Sequence, residues 1–278
     1  MECKLDGITL YYEIAGRGNP LLMLHGWPYD HTHMAFEMER HFTVRAGWQR
    51  IYLDLPGMGK TPGANWISSS DDMLNVLEKF IDHLIPNQRF LVAGLSYGGY
   101  LARGLVYRRG AEIDGVLLSV PSIGYPAEDL PPRSKVIRDM KIVAQARVEN
   151  MAWFEDDVVS ENVGALEYAR IINAMPPGDE AFLMRLRRNR VFSFDVDAPP
   201  RPLEAPSLFI LGRQDHLVGY RRQWRLFENY PRATFAVLDG AGHFVWGEKT
   251  TLCEALVSDW LDRVEEWMEA NSSDLHKP

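Results

Sequence analysis

Cysteine is almost absent: Cys3 and Cys253 are the only two in 278 residues. Two thiols do not make a disulfide framework, so the fold must rest on a packed core. Each reads as a buried apolar residue, Cys3 on a strand and Cys253 on a helix. Positive charge is also short. The 30 Lys and Arg face 38 Asp and Glu, a formal net charge of −8. A sequence-independent grip on nucleic acid needs a basic face, and this balance argues against one. No apolar run approaches the ~18 residues of a membrane span. The first stretch, MECKLDGITLYYEIAG, has early acids and no apolar h-region, so it does not read as a secretory leader. The expectation is a reducing, cytoplasmic setting and a small-molecule partner, with no nucleic acid, membrane, metal or cofactor involved. Oligomeric state leaves no mark in the sequence.

What is present suits a large core. Hydrophobic residues make up 46% of the chain, and a chain of this size buries roughly 75% of its unfolded surface. Strand patterns recur at 2–5, 8–15, 20–26, 50–57, 89–94, 114–120, 207–212 and 234–239. Helical patterns recur at 68–85, 98–109, 219–229 and 248–269. Such alternation predicts α/β architecture: a mostly parallel sheet covered on both faces. It fails between about 121 and 203, a Met-, Leu-, Arg- and Glu-rich stretch bracketed by VPSIGYPAEDLPP and DAPPRPLEAP. The expected organisation is a core in two parts, 1–120 and 204–278, with an inserted helical cap at 121–203 between proline hinges. The last residues, NSSDLHKP, read as frayed.

Chemistry concentrates at FLVAGLSYGGY, residues 90–100. A strand ending near Ala93 and a helix starting near Tyr97 leave little room for a turn. Gly94 and Gly98 permit that close approach and hold Ser96 out at a helix N-terminus. A serine hydroxyl needs a base. His243, in the loop GAGH after the last strand, is the candidate, and His31, His33, His41, His83 and His276 have no comparable setting. Asp215, in GRQDHLV after the preceding strand, is the expected orienting acid. Asp239 is the rival, awkwardly close to His243 in the chain, and His216 reads as a loop residue. Two oxyanion donors are expected, the backbone N–H groups of Trp27 and Tyr97, with Gly26 letting the LHGWP loop turn.

Taken together, LHGWP, DLPGMGKT, GLSYGG, GRQDHLV and GAGH, in that order, resemble the α/β-hydrolase fold with a helical cap. The resemblance covers nearly the whole chain. It implies an eight-stranded, mostly parallel sheet, a cap over the site and hydrolysis through an acyl-enzyme. GMGKT is not a P-loop, because that motif needs glycine where Asp54 stands. Asp54 and Gly57 are expected to shape the DLPGMG turn. RLRRNR, residues 185–190, reads as a solvated face. Serine at 96 sets the chain apart from the haloalkane dehalogenases and epoxide hydrolases, which use aspartate. The loop HGWPYD departs from the Gly-Gly-Pro-Gly loop of proline iminopeptidases and from the glycine-rich loop of C–C bond hydrolases. Those departures weaken both readings without excluding them. The leading reading is a carboxylesterase-like serine hydrolase acting on a small-to-medium ester, lactone or thioester, and a proline iminopeptidase-like or C–C bond hydrolase stays as the alternative. A lyase using the same residues and a non-catalytic receptor of this fold are the alternatives from other classes. Trp27, Tyr97, Trp153, Phe154 and Met140 are the expected pocket residues, with Met151, Met175 and Met184 as further possibilities.

Overall fold

The computed structural model describes residues 1–122 and 130–272. Part of the entry hinge expected at 121–132, most of the tail expected to fray and His276 lie outside the described residues. Eight strands form one sheet in the order β1-β2-β4-β3-β5-β6-β7-β8. They are β1 Glu2–Leu5, β2 Ile8–Ala15, β3 Asn19–Leu24, β4 Trp48–Leu53, β5 Phe90–Leu95, β6 Ile113–Ser119, β7 Ser207–Gly212 and β8 Ala233–Leu238. The first two pair antiparallel and β2 meets β4 antiparallel. Every pairing from β4 to β8 is parallel.

Strand periodicity of two splits the core. Leu22, Leu24 and Val92 pack on one face with α2 (Ser70–Leu84) and α3 (Tyr97–Arg109). Leu21, Met23, Leu91 and Ala93 pack on the other with α1 (His31–Met38) and α9 (Thr250–Ser272). Both faces are covered, which explains why β3, β5 and β6 read as unbroken apolar runs rather than alternating ones. Helix α2 begins on a capping box in which Ser69 and Asp72 satisfy each other's backbone N–H groups. Its Met73, Leu77, Phe80 and Ile81 then recur on the buried side. Both cysteines are buried and unpaired.

Four helices separate β6 from β7 among the described residues: α4 (Met140–Val148), α5 (Trp153–Asp157), α6 (Val163–Ala174) and α7 (Glu180–Arg187). They straddle the sheet. Phe182, Leu183 and Leu186 of α7 join the α2/α3 side of the core. Ala146, Phe154, Leu166 and Ala169 join the α1/α9 side. Helix α6 also packs against α8 (Val245–Glu248), directly after His243. No helix of the described residues is long and apolar enough to cross a membrane.

Two elements differ from the sequence pattern. The 219–229 segment is a 3₁₀ helix at Arg222–Asn229, not an α-helix. Its buried residues, Gln223 and Leu226, are three apart, which matches the tighter period. Helix α1 has no counterpart in the expected elements. Its inward face carries His31, His33 and Glu37 beside Met34 and Met38, so the apolar periodicity that reveals a helix is broken by buried polar groups. Asp30, which caps the Thr32 N–H, is the local signal that marks its start.

Candidate active site

The sharp β5–α3 turn puts Ser96 at φ +50°, a left-handed backbone unusual for serine. Neighbouring chains hold it there: Ser96 N–H donates to the Ser119 carbonyl at 2.9 Å, and its own carbonyl accepts from Ser122 N–H at 2.9 Å. A Cβ at Gly98 would collide with the carbonyl oxygens of Leu24 and His25, and one at Gly94 with the Gly98 backbone. The strand-to-helix approach therefore tolerates only hydrogen at those two positions. Gly26 lies against Leu95 and Ser96 from the neighbouring β3 end.

Three carboxyl ends of the sheet converge on this serine. Ser96 Oγ lies 3.1 Å from His243 Nε2. His243 Nδ1 lies 2.9 Å from Asp215 Oδ2. The other oxygen of Asp215 accepts from Leu217 N–H and Val218 N–H, both at 2.9 Å. Asp215 is fully buried, while His243 keeps 14% of its side chain exposed. A carboxylate that already accepts from two fixed amides cannot swing away from the ring. Asp239 takes no part. It is exposed and accepts from Gln214 Nε2 at 2.8 Å. His216 turns to Asp157 Oδ1 at 3.2 Å.

The loop carrying His243 is clamped from two sides. Gln214, one residue before the acid, accepts from Gly240 N–H at 2.9 Å and Ala241 N–H at 3.3 Å. The buried Glu248 accepts from Gly242 N–H at 2.6 Å with one oxygen. With the other it accepts from Val159 N–H and Ser160 N–H at 2.5 and 3.1 Å. One carboxyl thus ties the histidine loop to the segment after α5. Burial pushes the Glu248 carboxyl up, against the pull of its three amide donors.

The amides of Trp27 and Tyr97 have no acceptor among the described residues. The two rings meet edge to face at 5.4 Å. A cavity of about 490 Å³ opens beside Ser96 and His243. Trp27, Trp153 and Met175 line it. Three other expected wall residues do not. Tyr97 packs into the α2/α3 core with its hydroxyl 2.9 Å from Ser70 Oγ, because the elbow that projects Ser96 turns the next side chain away. Phe154 is fully buried beneath the cavity wall, since neighbours on a helix point about 100° apart and Trp153 takes the inward direction. Met140 is 59% exposed at the start of α4, beyond its buried residues Val143 and Ala146. Met184 is exposed and Met151 is in the core.

Sequence reasoning missed Tyr29, His33, Asp157, Tyr168, Ile172 and Phe244, all of which line the cavity. Of these, His33 heads a buried polar chain. Its Nε2 is 2.6 Å from the Tyr168 hydroxyl, which donates to Glu37 Oε1. Burial pushes His33 down to about 3, and raises Glu37 well above the ordinary carboxyl range. This chain is therefore held neutral.

Asp30, His31 and Asp54 are the one group of the described residues spaced for a metal. Protein donors already claim them. Asp54 accepts from His31 N–H and Lys60 N–H at 2.8 Å each and meets His31 Nδ1 at 2.7 Å. That fixes the DLPGMG turn, and it is a structural use of Asp54.

A family model described as "Alpha/beta hydrolase family" matches residues 21–255. The chain belongs to the alpha/beta hydrolase family. Among its curated relatives in that family is a 2-hydroxy-6-oxononadienedioate/2-hydroxy-6-oxononatrienedioate hydrolase of Burkholderia vietnamiensis. It is 27% identical, over 93% of this chain and 93% of the relative. A pimeloyl-[acyl-carrier protein] methyl ester esterase of Legionella pneumophila is 22% identical over 91% of this chain and its whole length. Among solved structures, an alpha/beta superfamily hydrolase from Oenococcus oeni matches with a TM-score of 0.81. It is 26% identical, covering 95% of this chain and 99% of that one. This alpha/beta hydrolase is thus similar both to a relative named as a dioate hydrolase and to one named as a methyl ester esterase.

Proposed function

We propose that this chain is a serine hydrolase that cleaves small-to-medium carboxylic esters, lactones or thioesters through an acyl-enzyme on Ser96. One observation carries the reading: the line Ser96 Oγ–His243 Nε2 at 3.1 Å and His243 Nδ1–Asp215 Oδ2 at 2.9 Å, open to a cavity. In this mechanism His243 takes the hydroxyl proton as Ser96 attacks the carbonyl carbon. Asp215 holds the ring and stabilises the imidazolium. The tetrahedral oxyanion rests on the Trp27 and Tyr97 amides, whose N–H groups are free to donate. His243 then gives its proton to the leaving alcohol or thiol, and afterwards activates the water that releases the acid. Residues 121–203 act as the cap in this reading, with α5 and α6 supplying Trp153, Asp157, Tyr168 and Ile172 to the cavity. Two free, buried thiols suit a reducing compartment.

Carbon–carbon bond hydrolysis is the second reading, supported by the relatives named for dioate substrates. A dioate brings two carboxylates, and the described cavity lining offers neither Lys nor Arg to meet them. Ester cleavage fits that lining better. A fluorophosphonate probe tests the proposal: wild type should label at one site, and Ser96→Ala should not. Equal turnover of p-nitrophenyl esters by wild type and Ser96→Ala would refute it, and an unlabelled, inactive wild type would point to a receptor.

A further inference from the structure

Asp157 closes α5 and lines the cavity shared by Ser96 and His243. It is the only Asp, Glu, Lys or Arg among the described lining residues. Its Oδ1 takes His216 Nε2 at 3.2 Å and faces Arg133 across 3.5 Å. Arg133 is 63% exposed, so that pair is screened and contributes little. Oδ2 has no partner among the described residues and is not sealed off.

The surrounding walls are aromatic: Trp27, Tyr29, Trp153, Tyr168 and Phe244. Ring faces carry negative potential and attract cations, trialkylammonium groups above all. A carboxylate without a fixed countercharge, set among such rings, attracts a positive group and repels an anion. Both features point the same way.

We propose that this cavity selects esters bearing a positive charge on the acyl or alcohol part, with Asp157 as the specificity-determining residue and the aromatic rings as the walls around the cation. The proposal rests on the ester-hydrolase reading and adds a substrate class to it.

Acetylthiocholine and its uncharged isostere 3,3-dimethylbutyl thioacetate test it, because they differ in charge and hardly in shape. Wild type should favour the cation in kcat/KM by about tenfold or more. Asp157→Asn, which keeps an oxygen for His216, should bring the ratio close to one. Asp157→Glu, which keeps the charge, should retain a preference for the cation. The ratio is taken within each variant, so a general loss of activity does not disturb it. A wild-type ratio near one, or an unchanged ratio in Asp157→Asn, overturns the proposal. If wild type turns over neither thioester, the ester reading fails for these probes. Calorimetric binding of choline against 3,3-dimethylbutanol, in wild type and Asp157→Asn, then still decides the charge preference.

Discussion

Two histidines line the same cavity and face opposite fates. His243 meets a buried carboxylate that already accepts from two amides, retains some exposure and reaches a hydroxyl. His33 is 1% exposed and meets a tyrosine hydroxyl backed by a carboxyl that burial keeps protonated. The first environment can stabilise an imidazolium. The second excludes it, because a charge on His33 would find no ionised partner in a dry site. In the proposed mechanism the base is selected by the acid behind it and by access to a hydroxyl, rather than by the presence of imidazole near the cavity.

The sharpest way to break this comparison is to remove each ring. Ser96→Ala or His243→Ala should lower ester turnover by about 10⁴–10⁶-fold. His33→Leu should lower it less than about 100-fold and show mainly as lost stability, roughly 1–3 kcal/mol in urea unfolding. Equal losses for the two histidines would end the distinction. Next in size, Asp215→Asn should lower kcat by about 10⁴-fold with little change in KM, since it leaves the ring with the wrong tautomer.

A smaller effect is expected at the clamp. Glu248→Gln preserves shape but sets an amide N–H₂ against backbone N–H groups, loosening either the His243 loop or the segment after α5. We expect kcat to fall by about 10–100-fold, by analogy with small misplacements of reacting groups, with KM nearly constant. A matching rise in KM would place Glu248 in binding instead.

A pH-dependent effect on stability sharpens the neutral side. Unfolded Glu37 ionises near its ordinary value of 4.5, whereas folded Glu37 holds its proton well above that. The folded state binds more protons, so this group's contribution to stability is full at low pH and is lost as pH rises above about 4.5. Glu37→Gln removes that loss. Its melting temperature relative to wild type should therefore climb from pH 5 to pH 8, by up to about 1.4 kcal/mol of stability per pH unit. A flat difference would mean that Glu37 is ionised in the fold. His33 works in the opposite sense. Its depressed value means that its neutral form supports the fold above about 6.5, and that support is lost as pH falls toward 3.

Much of this is legible in the sequence. Parallel strands buried on both faces announce themselves as apolar runs, and β5, β6 and β7 fall where those runs lie. Ser96, Asp215 and His243 each stand just past a strand, marked by glycines or by a loop. Other features were hidden for identifiable reasons. Helix α1 buries a histidine–glutamate face and so lacks an apolar stripe. Tyr97 was expected at the cavity because it neighbours Ser96, yet one residue along a helix start is a different direction in space. Phe154 and Trp153 are adjacent in sequence, and only one can face inward.

By itself, the sequence determined the strand and helix order of the core and the turn geometry at Ser96, because periodicity and glycine placement act over a few residues. Only the tertiary structure decided which side chains share the cavity. It alone made Asp157 the sole Asp, Glu, Lys or Arg of the described lining, and put Glu37 behind His33 through the Tyr168 hydroxyl. Those outcomes depend on how a helical insertion settles against strand ends far away in the chain, and burial, the quantity that sets charge and access there, is a property of the packed whole.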